Sequence, residues 1–230
     1  MTILHIFGDS WADEKLESEG LYNRGPVDTF PQSFASLTAE LCGLQYRCHA
    51  RSGASQADMF LQLQNSKIQS QDIAVFLLTS PSRRTYFTDQ GKQCTMSVDL
   101  QKHYVNDYQD SWLAALHCFA MQQFCLSNNA TPLFVSTFNV NYVELCPLWE
   151  HIPKHHWILP PTTCMIRELF DPEWFGQYDT YRNNDFYDWL HSESPGVQKY
   201  IRPCKDHPNL TARGVMASTV ASAILKTLPQ

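Results

Sequence analysis

The sequence predicts an α/β fold with a mostly parallel sheet between layers of helices, on three observations. Short apolar, β-branched runs alternate with stretches of helical period. The run Ile73 to Leu78 is apolar without a break, as a parallel strand covered on both faces requires. A final amphipathic stripe closes the chain. Together they imply right-handed crossovers and a three-layer α/β/α sandwich.

Taken in order, residues 2–7 form the first strand and end at Gly8. The stretch 12–31 mixes acids, glycines and prolines without period, so an irregular excursion is expected near that strand's carboxyl end. Phe34, Leu37, Leu41 and Leu44 then recur at helical spacing. A second strand is expected at 45–50. It is followed by a helix with Met59, Phe60 and Leu63 on one face and Ser55 as its N-cap. After the strand 73–78, the stretch 103–127 carries Tyr104, Tyr108, Trp112, Leu116, Phe119 and Phe124 about one turn apart, and it leads into a fourth strand, 132–137. A short strand is expected at 156–159. Val215, Val220, Ala221, Ile224 and Leu228 mark the closing helix from Thr211.

At 230 residues the chain is expected to form one domain, 1–230, with an aromatic-rich insertion at about 140–200. Its net charge of −6 and lack of any Lys/Arg cluster argue against a nucleic-acid partner. The first residues lack the pattern of a secretory signal, and no window approaches a membrane span, so a cytoplasmic location is the default expectation. Cys42, Cys48, Cys94, Cys118, Cys125, Cys146, Cys164 and Cys204 form no CxxC pair and read as reduced thiols. His151, His155 and His156 read as loop histidines, not a metal site. The aromatic stretch 170–189 reads as a satellite core or a surface for stacking sugar rings.

Two short motifs carry chemistry. Gly8-Asp9-Ser10 falls where the first strand ends, and ligands bind at the carboxyl ends of parallel strands. Asp206-His207-Pro208-Asn209 precedes the closing helix. A serine at the first place and a histidine at the second can act as nucleophile and general base.

In this pairing, and in the order of two intermediate blocks, the sequence resembles the SGNH hydrolases, also called GDSL esterases and lipases. Their pattern opens with a GDS serine and closes with an HPN-type histidine. The resemblance implies an SGNH-type, flavodoxin-like sandwich and a carboxylic-ester hydrolase. In it Ser10 would be the nucleophile, His207 the general base, and the backbone N–H groups of Ser10 and Gly53 the oxyanion donors. The third block departs: where the family has Gly-x-Asn-Asp, this chain has Leu78-Thr79-Ser80-Pro81, with Ser80 in the asparagine's place. Thr79, Ser80 or Arg83 is then expected to compensate, Arg83 alternatively binding an acidic substrate group. The acid usually three residues before the histidine is Cys204 here, leaving Asp206 or a carbonyl to orient the ring. No metal or cofactor is implied. The substrate expected is a small-molecule or carbohydrate ester, with removal of an O-acetyl group from a carbohydrate as the finer expectation. Acyl transfer and a catalytically weak binding scaffold are the competing readings.

Overall fold

The computed structural model describes residues 1–9, 11–12, 33–80, 83, 85–87, 93–95, 107–137, 143–176, 189–192, 194–201 and 208–228. Four strands build the central sheet: β1 (Ile3–Phe7), β2 (Gln45–Cys48), β3 (Ile73–Leu78) and β6 (Thr131–Ser136). They lie in the order β2-β1-β3-β6 and every pairing is parallel. A separate antiparallel pair, β4 (Thr85–Phe87) and β5 (Gln93–Thr95), lies outside this sheet.

The alternation of side chains along each strand divides the core in two. Leu4, Ile6, Ile73, Val75, Leu77, Leu133 and Val135 face one layer, made by α1 (Phe34–Cys42) and α6 (Leu210–Thr227). Phe7, Ala74, Phe76, Leu78 and Phe134 face the other, made by α2 (Gln56–Asn65) and α3 (Asp107–Ser127). The predicted three-layer arrangement is therefore present.

The helices start and stop for local reasons. Ser33 Oγ accepts the Ser36 N–H to cap α1, and Gly43 ends it at a left-handed φ of 65°. Ser55 caps α2 in a reciprocal box with Asp58. Asn209 caps α6 by accepting from the Ala212 N–H. On α1 the buried face is Phe34, Ala35, Thr38 and Ala39, while Leu41 points outward at 51% exposure. Phe34 of the expected stripe is buried and Leu37 and Leu44 pack half-buried against the same core as Ala217 and Ala221 of α6, so Leu41 alone of the four turns to solvent.

The strand expected at 156–159 shrinks to a single parallel bridge between Trp157 and Phe134. A 3-10 turn at Lys154–His156, entered through Pro153, occupies the residues that would have extended it. Its indole completes an aromatic row across the sheet: Phe7 and Phe76 are 4.9 Å apart, Phe76 and Phe134 5.1 Å, Phe134 and Trp157 5.6 Å. Register sets this row, because Phe7 pairs with Phe76 and Phe76 with Phe134. Cys118, Cys125, Cys146 and Cys164 are buried thiols, and burial raises the Cys125 thiol to about 12. No helix among the described residues is long and apolar enough to cross a membrane.

Candidate active site

The carboxyl ends of β1 and β3 and the turn after β2 meet at one edge of the sheet. Ser10, His207 and Asp206 lie outside the described residues, but the residues beside them are well placed. Gly8 ends β1 in a position with no room for a side chain: an added Cβ would stand 3.1 Å from Ala12 Cβ and 3.2 Å from Leu77 Cβ. The Gly8 carbonyl accepts the Arg51 N–H at 3.1 Å, which ties the turn Arg51–Ala54 to the end of β1. Gly53 lies in that turn at a φ of 75°, a conformation that favours glycine.

Asp9 is the organiser. Its side chain is buried, and Oδ1 accepts the Trp11 N–H at 3.0 Å. The Ala12 N–H also donates to the Asp9 carbonyl, so Asp9 holds both Trp11 and Ala12. Oδ2 accepts Thr79 Oγ1 at 2.9 Å and an Arg83 guanidinium N–H at 3.0 Å. One carboxylate therefore clamps the loop after β1 to the loop after β3. With 27% of the Arg83 side chain exposed against 1% of Asp9, the ion pair spans the boundary between interior and solvent.

This geometry assigns the third-block residues. The Thr79 hydroxyl proton and one face of the Arg83 guanidinium are directed at Asp9, so both act as anchors of the loop that precedes and follows Ser80. Ser80 is the second residue after β3, and its carbonyl accepts the Arg83 N–H at 3.0 Å. The role of Asp9 escaped the sequence reading, which took Gly8-Asp9-Ser10 for its serine alone. An acid and an arginine of opposite charge, each just past a neighbouring parallel strand, were the available signal.

An aromatic stack joins the two ends of the sequence. Trp11, one residue past Ser10, stacks on Phe170 at 6.2 Å, and Phe170 stacks on Tyr200 at 4.8 Å. The Tyr200 carbonyl accepts the Asn209 N–H at 2.9 Å, and Ile201 bridges Pro208. The neighbours of Ser10 and the two residues after His207 thus share one wall of the fold. Phe170, Phe175 and Trp189, from the stretch read as a possible sugar surface, are core residues. Trp189 donates its indole N–H to Asp171. Tyr178, Tyr181, Phe186 and Tyr187 lie outside the described residues. His156 is held by Gln122 at 3.2 Å and stands edge-on to His155.

No family model and no curated protein matches the sequence. Solved structures do match its fold. TesA superposes with a TM-score of 0.55 at 14% identity, covering 99% of this chain and 100% of its own. A protein from Parabacteroides merdae described as a GDSL-like lipase gives 0.50 at 13% identity, over 96% of this chain and 94% of its own. Protein YXIM of Bacillus subtilis gives 0.51 at 12% identity, over 98% of this chain but 56% of its own. The chain thus shares the α/β/α fold of these proteins, one of them described as a GDSL-like lipase, and this is the fold class that the two terminal motifs led one to expect.

Proposed function

We propose that this chain is a serine hydrolase of carboxylic esters. The observation that supports this most is the contact between the two motifs' described neighbours: Trp11, held to Asp9, is joined through Phe170 and Tyr200 to Asn209, so the residues flanking the GDS serine and those following the HPN histidine pack together. In this reading Ser10 attacks the ester carbonyl while His207 takes its proton. The N–H groups of Ser10 and Gly53 stabilise the oxyanion, with Ser80 beside them. His207 then protonates the leaving alkoxide, water attacks the acyl-enzyme, and the acid is released. Asp206 orients the imidazole, and Thr79 and Arg83 hold the serine loop through Asp9. Removal of a small acyl group, such as acetyl, from a sugar hydroxyl is the reaction that suits this machinery, with no metal or cofactor taking part.

The test is labelling with a fluorophosphonate probe, which reacts only with an activated serine. The wild-type chain should label, and Ser10→Ala and His207→Ala should not. A wild type that stays unlabelled at high probe concentration would refute the hydrolase reading and leave a binding scaffold.

A further inference from the structure

A chain of three side chains runs across the sheet toward its β2 edge, separate from the Asp9 clamp. Asp72, just before β3, accepts the Ile3 N–H at Oδ1 (2.9 Å) and the Gln69 N–H at Oδ2 (2.9 Å). His5 Nε2 lies 3.2 Å from the same Oδ2. A carboxylate can only accept, so His5 donates from Nε2. In a neutral His5 the other nitrogen, Nδ1, is then an acceptor, and it lies 3.0 Å from His49 Nε2. His49 must donate there. The two rings stack at 5.2 Å within 5° of parallel, and Phe7 stacks on His49 at 4.7 Å, so the imidazole of His49 has little freedom to turn over. Burial keeps both histidines neutral at pH 7, lowering His5 and bringing His49 to about 4.

The consequence is a fixed tautomer with a bare Nδ1 on His49. Among the described residues no hydrogen bond reaches that nitrogen. His49 lines a cavity of about 320 Å³ together with Arg51, Asp58, Gln62 and Asn65. The Arg51 guanidinium is half-exposed, and its charge is met by Asp58 at 3.1 Å. The other Asp58 oxygen accepts the Ser55 N–H. Asn65 gives its amide protons to the Leu61 carbonyl, leaving its oxygen as acceptor. Gln62 Oε1, on the same wall, is buried without a partner among the described residues. The cavity thus offers several acceptors and the outer N–H groups of one compensated cation. An anion would meet the lone pair of His49 and the carboxylate of Asp58. A cation would meet Arg51, and a purely apolar group would leave all of these groups unmet.

We propose that this cavity is a subsite for a neutral polyhydroxyl group, such as a sugar ring, with His49 Nδ1 accepting a ligand hydroxyl and Arg51 donating to a ligand oxygen. Hydroxyls match the lining because each one donates and accepts. Arg51 and Gly53 belong to the same turn, so the cavity and the proposed oxyanion donor share one structural element. Treating that ring as part of the substrate rests on the ester-hydrolase reading; its binding does not.

The experiment is nitrogen NMR of the histidine rings in the full chain carrying Ser10→Ala, titrated with methyl β-D-xyloside at millimolar concentration. At pH 7 His49 should be protonated at Nε2 alone. The xyloside should move the His49 Nδ1 signal and the Asn65 amide signal, and sulfate and tetramethylammonium should not. His49→Phe, which keeps the ring stack, should weaken xyloside binding about fivefold to tenfold, the loss of one neutral hydrogen bond. A His49 protonated at Nδ1, no response to the xyloside, or an equal response to either ion would overturn the proposal. Fluorophosphonate labelling tells the two readings apart: xyloside binding without labelling keeps the subsite and removes the hydrolase, and labelling without xyloside binding does the reverse.

Discussion

Asp9 and Asp72 are both buried carboxylates that each accept three hydrogen bonds from the described residues, but they sit at opposite ends of the sheet and differ in what meets their charge. Asp9, past the carboxyl end of β1, is met by a cation, Arg83, and by a hydroxyl from the next strand's loop. Asp72, before the amino end of β3, is met by two backbone N–H groups and a neutral imidazole. The first cross-links two loops through a charge pair that reaches solvent. The second sets the direction of a hydrogen-bond chain without any formal counter-charge. A carboxylate with a cation fixes position, and one with an imidazole fixes a tautomer.

The largest effect is expected at the clamp. Asp9→Asn leaves Arg83 without its counter-charge and turns an amide N–H toward the Trp11 N–H or toward the Arg83 guanidinium and the Thr79 hydroxyl. Breaking such a pair should cost about 2–4 kcal/mol in urea unfolding. Because the same carboxylate holds Trp11, the residue after the proposed nucleophile, the rate of fluorophosphonate labelling should fall by about 10²-fold, as a displaced nucleophile would cause. Ester turnover should show the loss in kcat, with KM nearly unchanged. A variant that unfolds earlier but labels at the wild-type rate would make Asp9 structural only.

How far each carboxylate could be read from the sequence differs for the same physical reason. Local pattern was enough for β3, whose observed bounds coincide with the run Ile73 to Leu78, and for the capped start of α2 at Ser55. It was also enough for the position of Gly53 after the second strand. The pairs Asp9–Thr79 and Asp9–Arg83 join residues 70 and 74 positions apart, and His5–Asp72 joins residues 67 apart, so no window contains either network. His5 is a polar residue inside a strand read only as apolar, and its partner becomes visible only when strand register sets β1 beside β3. The three-residue strands β4 and β5 are too short for a period of two to emerge. The fifth strand failed because Pro153 and the turn after it consumed its residues, which hydrophobicity alone does not reveal.

A smaller effect is expected at the other carboxylate. Asp72→Asn keeps the shape but replaces one acceptor oxygen by a donor, so either the Ile3 N–H, or both the Gln69 N–H and the His5 Nε2–H, lose their partner. The cost should be about 1–2 kcal/mol in the same urea experiment. Fluorophosphonate labelling should stay within about twofold of the wild type, since its rate follows ΔG‡ at Ser10. Equal losses of labelling in Asp9→Asn and Asp72→Asn would erase the distinction between the two ends of the sheet.

The smallest effect separates them by pH. His49 has its folded value lowered from 6.5 to about 4 by burial first, then by the neighbouring His5 and Arg47. Between those two values the unfolded chain binds more protons than the folded one, so stability is complete above pH 6.5 and falls as the pH drops toward 4. His156 is lowered to about 4 as well and contributes a slope of the same sign. Replacing His49 by Phe removes one of these two contributions. With the solvent exposure of its ring taken into account, the stability lost between pH 7 and pH 4 should shrink by on the order of 1 kcal/mol. Urea midpoints at the two pH values measure it. The pH slope of Arg83→Met, which leaves His5 and His49 as they are, should keep the His49 contribution in full. An unchanged slope in His49→Phe would mean that His49 is protonated as readily in the folded chain as in the unfolded one, and the fixed tautomer at the β2 edge would go with it.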